Sequence, residues 1–243
     1  MNITENQHEI DSVNALLNII DGSLYNGRSR WIYRGHSNSS YKLQPSVGRL
    51  LKEKFSSPDE LYRYEKDIFN EFFIRNYSRF RESNKLINLA IAQHHGLQTR
   101  LLDWTYSPLI ALFFAIENEL HHKEDGALYA YQQGQGYNQY PPKFENNPLE
   151  EDSYKDSDYY FVYAPDLTPR ISNQHGIFQI FKEPVKEFKE AYNLHKIIIK
   201  AQAKSKIKKN LFRLGISYDT IYPDLDGLAK SIIYNNIKGN HQW

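Results

Sequence analysis

The chain has 243 residues, with 30 Lys and Arg against 29 Asp and Glu, 40% hydrophobic residues and no cysteine. It is long enough to bury a sizeable core in one large domain or two small ones, and its balanced charge gives no global electrostatic argument for nucleic acid or an anionic membrane. The missing cysteine excludes disulfides, thiolate metal sites and cysteine nucleophiles, and it suits a reducing cytoplasm. The polar start MNITENQHEIDSVN lacks a signal-peptide layout, and the longest apolar run, 109–116, is far below the roughly 20 residues of a membrane span. A cytoplasmic protein without membrane contact is therefore expected. Its 19 Tyr, 13 Phe and 3 Trp supply large apolar areas, for a core or for pockets that take flat ligands.

In chain order, residues 1–27 predict a helical segment, with a helix from Ser12 to Ile20 capped by Asp11 and ended by Gly22. Residues 30–34 read as a strand. A helix start follows at Ser57, with Pro58 in the first position and Glu60 closing a capping box; Leu61, Tyr64, Ile68, Phe72 and Phe73 form its apolar stripe. INLAIAQHHG is a short helix running to Gly96, and LQTRLLDW is an irregular run. Ser107 caps the next helix with Pro108 behind it, and GALYAYQ (126–132) is a strand. Residues 133–158 read as a long mobile loop. YYFVYAP (159–165), GIFQIF (176–181) and LHKIIIKAQ (194–202) are strands, with a short helix around 185–192. KSKIKKNLFRLGI and LDGLAKSIIYNNIKG close the chain as helices, the Lys-rich face of 200–209 being solvated or, alternatively, a contact for nucleic acid. The pattern is α+β in a single domain, 1–243: helices first, then a mostly antiparallel sheet with helices interspersed.

Three stretches carry residues suited to chemistry. In WIYRGH, Arg34 at a strand end offers a fork of donors for phosphate or carboxylate, and Gly35 lets a ligand approach the backbone; the plainer reading is a surface arginine and a turn glycine. In AQHHGLQTRLLDWTYSPLIALFFA, Arg100 and Asp103 are three apart among apolar residues, where burial would force them to pair. There Trp104, Thr105, Tyr106 and Ser107 set two rings and two hydroxyls at a helix N-terminus, a wall for a flat ring beside a site that favours anions. In PRISNQHGIFQIF, polar residues including Gln174 gather before a strand, as a turn or as part of a site. Adjacent pairs such as His94–His95 and His121–His122 diverge on a helix, and no i, i+4 pair brackets a carboxylate, so no metal is expected. There is no phosphate-binding glycine loop and no GxSxG elbow.

Together with the closing YPDLDGLAKSI, these stretches resemble the FRG domain family, in order from about residue 28 to 234. That family is grouped by distant similarity with the ADP-ribosyltransferase-like fold, so the resemblance implies small antiparallel sheets forming a cleft that binds NAD. It implies that Arg34 contacts a ribose, that Gly35 holds the nicotinamide amide through its backbone, and that Tyr33, Arg100, Trp104, Thr105, Tyr106 and Ser107 line the ligand. The glutamate that starts a late strand in ADP-ribosyltransferase-like enzymes would fall near Gln174. A glutamine still hydrogen-bonds ribose but brings no charge to the oxocarbenium-like centre, a role for which Asp103 is the first candidate. His36 and His94 are candidates for acid–base work. Two functions stay open. One is an NAD-consuming enzyme, an ADP-ribosyltransferase onto protein or nucleic acid or an NAD glycohydrolase, in a toxin or defence role. The other is a nucleotide- or nucleic-acid-binding module without turnover.

Overall fold

A computed structural model describes residues 7–24, 30–77, 84–133, 147–154, 157–163, 173–189 and 193–237. The strands are β1 (Gln7–Ile10), β2 (Arg30–His36), β3 (Leu101–Thr105), β4 (Gly126–Gln133), β5 (Tyr159–Tyr163), β6 (Gly176–Phe181) and β7 (Leu194–Ile199). The helices are α1 (Val13–Ile19), α2 (Ser46–Arg49), α3 (Leu51–Lys54), α4 (Pro58–Arg75), α5 (Lys85–His94), α6 (Pro108–Ile116), α7 (Lys204–Arg213), α8 (Tyr218–Ile221) and α9 (Leu225–Ile237). The architecture is α+β, built on one seven-stranded sheet in the order β1-β7-β4-β2-β3-β6-β5. β1 runs parallel to β7 and every other neighbour is antiparallel.

The sheet is one, where the resemblance implies small separate sheets, but its middle seam is thin. β2 pairs with β4 along its whole length, from Arg30↔Gln133 to His36↔Ala127, yet meets β3 at Tyr33↔Thr105 alone. Beyond that bridge the two strands part, leaving a block of β1, β7, β4 and β2 beside a block of β3, β6 and β5.

Each block has helices of its own. Ile110, Leu112 and Phe113 of α6 pack with α1, α7 and the inward residues of β4 and β7. Leu86 and Leu89 of α5 and Phe69 of α4 cover Leu101, Phe178 and Ile180. On the opposite face Trp104, Tyr131, Phe161 and Phe188 form an aromatic layer. α6 is apolar nearly all round, as a helix buried between layers must be. Fully burying a side chain such as Phe113 contributes about 1.5–3 kcal/mol.

The helix starts follow the capping residues. Ser57 accepts from Glu60 N at 3.3 Å and Ser107 from Ile110 N at 3.4 Å, each with proline behind it. The Glu60 carboxylate reaches past the cap to Ser56 N, so the reciprocal half of the box is shifted by one residue.

Several expectations are corrected. Ser12, one residue after Asp11, caps α1 through Ala15 N at 3.2 Å. LLDWT is a strand, since it pairs with β6 residue for residue. Residues 185–189 are not helical; 190–192, like 164–165 of the expected YYFVYAP strand, lie outside the described residues. Of the expected loop 133–158, residues 134–146 and 155–156 also lie outside them; Gln133 ends β4, and Leu149 and Tyr154 are core residues. The Lys-rich face is not wholly solvated. Lys204 is buried, donating to the carbonyls of Ser37 and His121, and Lys208 is buried against Glu119. Among the described residues, no helix is long and apolar enough to cross a membrane.

Candidate functional site

A cavity of about 350 Å³ opens where β2 and β3 part, between α5 and α6. Of the residues singled out in the sequence, Tyr33, Arg34, Gly35, His36, His94, Asp103, Trp104, Thr105 and Gln174 line it. Tyr106 and Ser107 face a neighbouring depression, and Arg100 reaches neither.

Arg34 stands at the split. Its Nη1 donates to the Asp103 carbonyl at 2.5 Å and lies 3.8 Å from the Asp103 carboxylate, while Nε donates to His36 Nε2 at 3.0 Å. Nη2 makes no hydrogen bond among the described residues. Burial brings the guanidinium down to about 10, with Asp103 acting against that shift, so it stays charged at neutral pH. Accepting from Arg34 on Nε2 leaves the His36 proton on Nδ1, 3.3 Å from the Tyr41 carbonyl. Burial, then the charges of Arg34 and Arg49, hold His36 well below its ordinary value. The neutral ring has both nitrogens engaged, and its Nε2 holds the Arg34 guanidinium in place.

Arg49, on α2, is a residue that sequence reasoning missed. It lines the same cavity, and burial lowers its guanidinium. Nε and Nη2 both donate to the Gln44 carbonyl, at 3.1 and 3.0 Å, and Nη1 makes no hydrogen bond among the described residues. Two guanidiniums thus face one cavity, each with one Nη group to spare. Glu117, after α6, is a second missed wall residue; its carboxylate accepts from the Tyr222 hydroxyl at 2.9 Å.

The other expected residues take different parts. A Cβ on Gly35 would lie 2.0 Å from the carbonyl oxygen of Ala111, so the glycine is there to let α6 pack onto β2. The Trp104 indole is buried in the aromatic layer, donating to Gln179 Oε1 at 3.0 Å. Thr105 ties β3 to the Gln174 carbonyl at 2.7 Å. The Gln174 side chain leans to the Ile221 carbonyl, 3.5 Å away. Asp103 is exposed and accepts from Gln93 Nε2 at 2.6 Å. Arg100 pairs with Glu65 at 2.6 Å, and the expected Arg100–Asp103 pair does not form.

Residues 29–124 match the family model described as FRG domain. The chain carries an FRG domain. The match takes in β2, β3, α5 and α6, that is, both strands of the split and the two helices beside it. The later motifs, ISNQHGIFQIF and YPDLDGLAKSI, fall outside it. No curated protein and no solved structure matches the chain.

Proposed function

We propose that the FRG cavity binds a nucleotide whose phosphate groups rest on Arg34 and Arg49, with NAD as the candidate substrate. The observation that carries this is the pair of guanidiniums, each with an unused Nη group, facing one cavity. Guanidinium forks suit phosphate, and low-dielectric walls strengthen the attraction. About 350 Å³ is at the small end of the roughly 300–1,000 Å³ usual for ligand pockets, so one half of a dinucleotide would fill it and the other would extend past the mouth. Cleavage to release nicotinamide needs negative charge near the ribosyl carbon. Asp103 and Glu117 are the wall carboxylates able to supply it in place of Gln174. The likeness of the sheet's two blocks to an ADP-ribosyltransferase cleft is part of this reading.

The test is calorimetric titration with NAD, ADP-ribose and nicotinamide mononucleotide, with free nicotinamide quantified by mass spectrometry. A hydrogen bond to a charged group contributes about 1.5–3 kcal/mol, so Arg34→Ala and Arg49→Ala should each weaken binding roughly ten- to a hundredfold with the fold retained. Folded wild-type protein that binds none of the three ligands overturns the proposal. Binding without nicotinamide release, alone or with lysate or RNA, supports the module without turnover, the reading that the uncharged Gln174 favours.

A further inference from the structure

Tyr41 lines the cavity beside Arg49, and its hydroxyl lies 2.8 Å from Nε2 of His121. Nδ1 of the same ring lies 2.6 Å from Oε2 of Glu124. A carboxylate only accepts, so the imidazole proton sits on Nδ1 and the Nε2 lone pair meets the Tyr41 hydroxyl. Carboxylate, imidazole and hydroxyl thus stand in the order in which a base activates a nucleophile and a third group orients the base.

The chain of three is held from several sides. Asn38 Nδ2 donates to Glu124 Oε2 at 2.5 Å, and Lys204 Nζ, itself buried, donates to the His121 carbonyl at 2.8 Å. The Tyr41 carbonyl accepts from His36 and from the Tyr129 hydroxyl. Arg49 is close enough to Tyr41 to interact with it electrostatically, so a phenolate forming there would meet a cation.

We propose that the Tyr41 hydroxyl is a nucleophile, with His121 as its base and Glu124 orienting the imidazole, and that it attacks an electrophilic carbon of a ligand held in the cavity. The phenol oxygen bonds to that carbon, the leaving group departs with its electron pair, and the phenol proton passes to His121 Nε2. On the nucleotide reading, the carbon is C1 of the ribosyl group and the leaving group is the neutral pyridine released from its pyridinium. The chain then modifies itself at Tyr41.

The nucleophile can be tested without that reading, by treating the full chain with an aryl sulfonyl fluoride and following each tyrosine by peptide mass spectrometry. Tyr77 is the internal reference because it is 70% exposed against 39% for Tyr41. General-base catalysis is typically worth about 10²–10⁴, so Tyr41 should label at least about tenfold faster than Tyr77 despite its lower exposure. His121→Phe should bring the Tyr41 rate down to that of Tyr77, with the Tyr77 rate unchanged as a check on the fold. His121→Asn repeats the test with a smaller polar side chain. Equal rates in the wild type, or an unchanged Tyr41 rate in both variants, overturn the proposal. A parallel incubation with NAD should add an ADP-ribosyl mass to Tyr41; fast sulfonylation without that adduct leaves the nucleophile standing and overturns the ribosyl electrophile.

Discussion

Two arginines flank β3, and their surroundings could hardly differ more. Arg100 is 3% exposed, and its Nε and Nη2 close on the wholly buried Glu65 while Nη1 reaches the carbonyls of Pro148, Phe181 and Lys182. Burial works against its charge, and Glu65 overrides that, holding the guanidinium above its ordinary value. Arg34 has a carboxylate 3.8 Å away on an exposed side chain, a histidine on Nε and an Nη group with nothing to bond among the described residues. A cation whose donors are all used holds the fold together. A cation with donors to spare, facing a cavity, is ready for a ligand.

The sharpest way to break that contrast is to open the closed pair. Arg100→Met leaves Glu65 buried without its partner, which should cost about 3–5 kcal/mol, read as a fall in the urea midpoint. Glu65→Leu in the same chain should recover part of the loss, because an apolar pair of similar volume needs no compensating charge. A single variant within about 1 kcal/mol of wild type would mean that saturation does not mark the structural arginine.

Gly35 makes the same distinction within the motif that first suggested a site. Gly35→Ala sets a methyl 2.0 Å from the Ala111 carbonyl, so α6 has to move. Overpacking of this kind typically costs about 1–3 kcal/mol, and thermal unfolding would show it with no ligand present. Unchanged stability together with lost nucleotide binding would return Gly35 to the role that the resemblance gives it.

Much of the scaffold was legible because its signals are local. Ser57–Pro58 and Ser107–Pro108 mark their helices within two residues, and GIFQIF and GALYAYQ are apolar runs of strand length. β3 was not legible. Leu101 faces the α5 layer while Leu102 and Trp104 face the aromatic layer, so burial on both faces erases the alternation that betrays a strand. Long-range partners were also hidden. Arg100 has a carboxylate three residues away in sequence but bonds one 35 residues away, and nothing in SVGRL announces that Arg49 joins Arg34. The His121–His122 pair, set aside as metal ligands, gave no hint that Tyr41 would reach His121 across 80 residues.

A pH series sharpens the open side of the comparison. His36 is held below its ordinary 6.5 in the folded protein. The unfolded chain therefore takes up the proton first, so the stability tied to this ring is complete above about 6.5 and falls as pH drops below it. The slope from one such group is at most about 1.4 kcal/mol per pH unit. His195 is depressed too, by burial and by His8, and adds in the same direction. The His36 share is thus the difference between wild type and His36→Asn, whose stability should be flatter between pH 7 and 5. Parallel curves would mean that the ring is not held buried beside the two arginines in solution.

The smallest expected effect on stability is at Arg49, and it tests the contrast most directly. Its donors go to one backbone carbonyl, which has water as an alternative, so Arg49→Ala should change the unliganded unfolding free energy by less than about 1 kcal/mol. A ligand that binds only the folded state stabilises it by RT ln(1 + [L]/Kd), so inorganic pyrophosphate at a hundred times its Kd would add about 2.7 kcal/mol to wild type. With binding weakened roughly ten- to a hundredfold, about half to more than four-fifths of that gain should vanish in Arg49→Ala and in Arg34→Ala. A construction arginine would behave the other way round, losing stability without ligand and keeping whatever pyrophosphate adds. The two responses read one side chain against both alternatives, so a variant that loses both quantities together would place Arg49 with Arg100 and leave Arg34 alone at the split between β2 and β3.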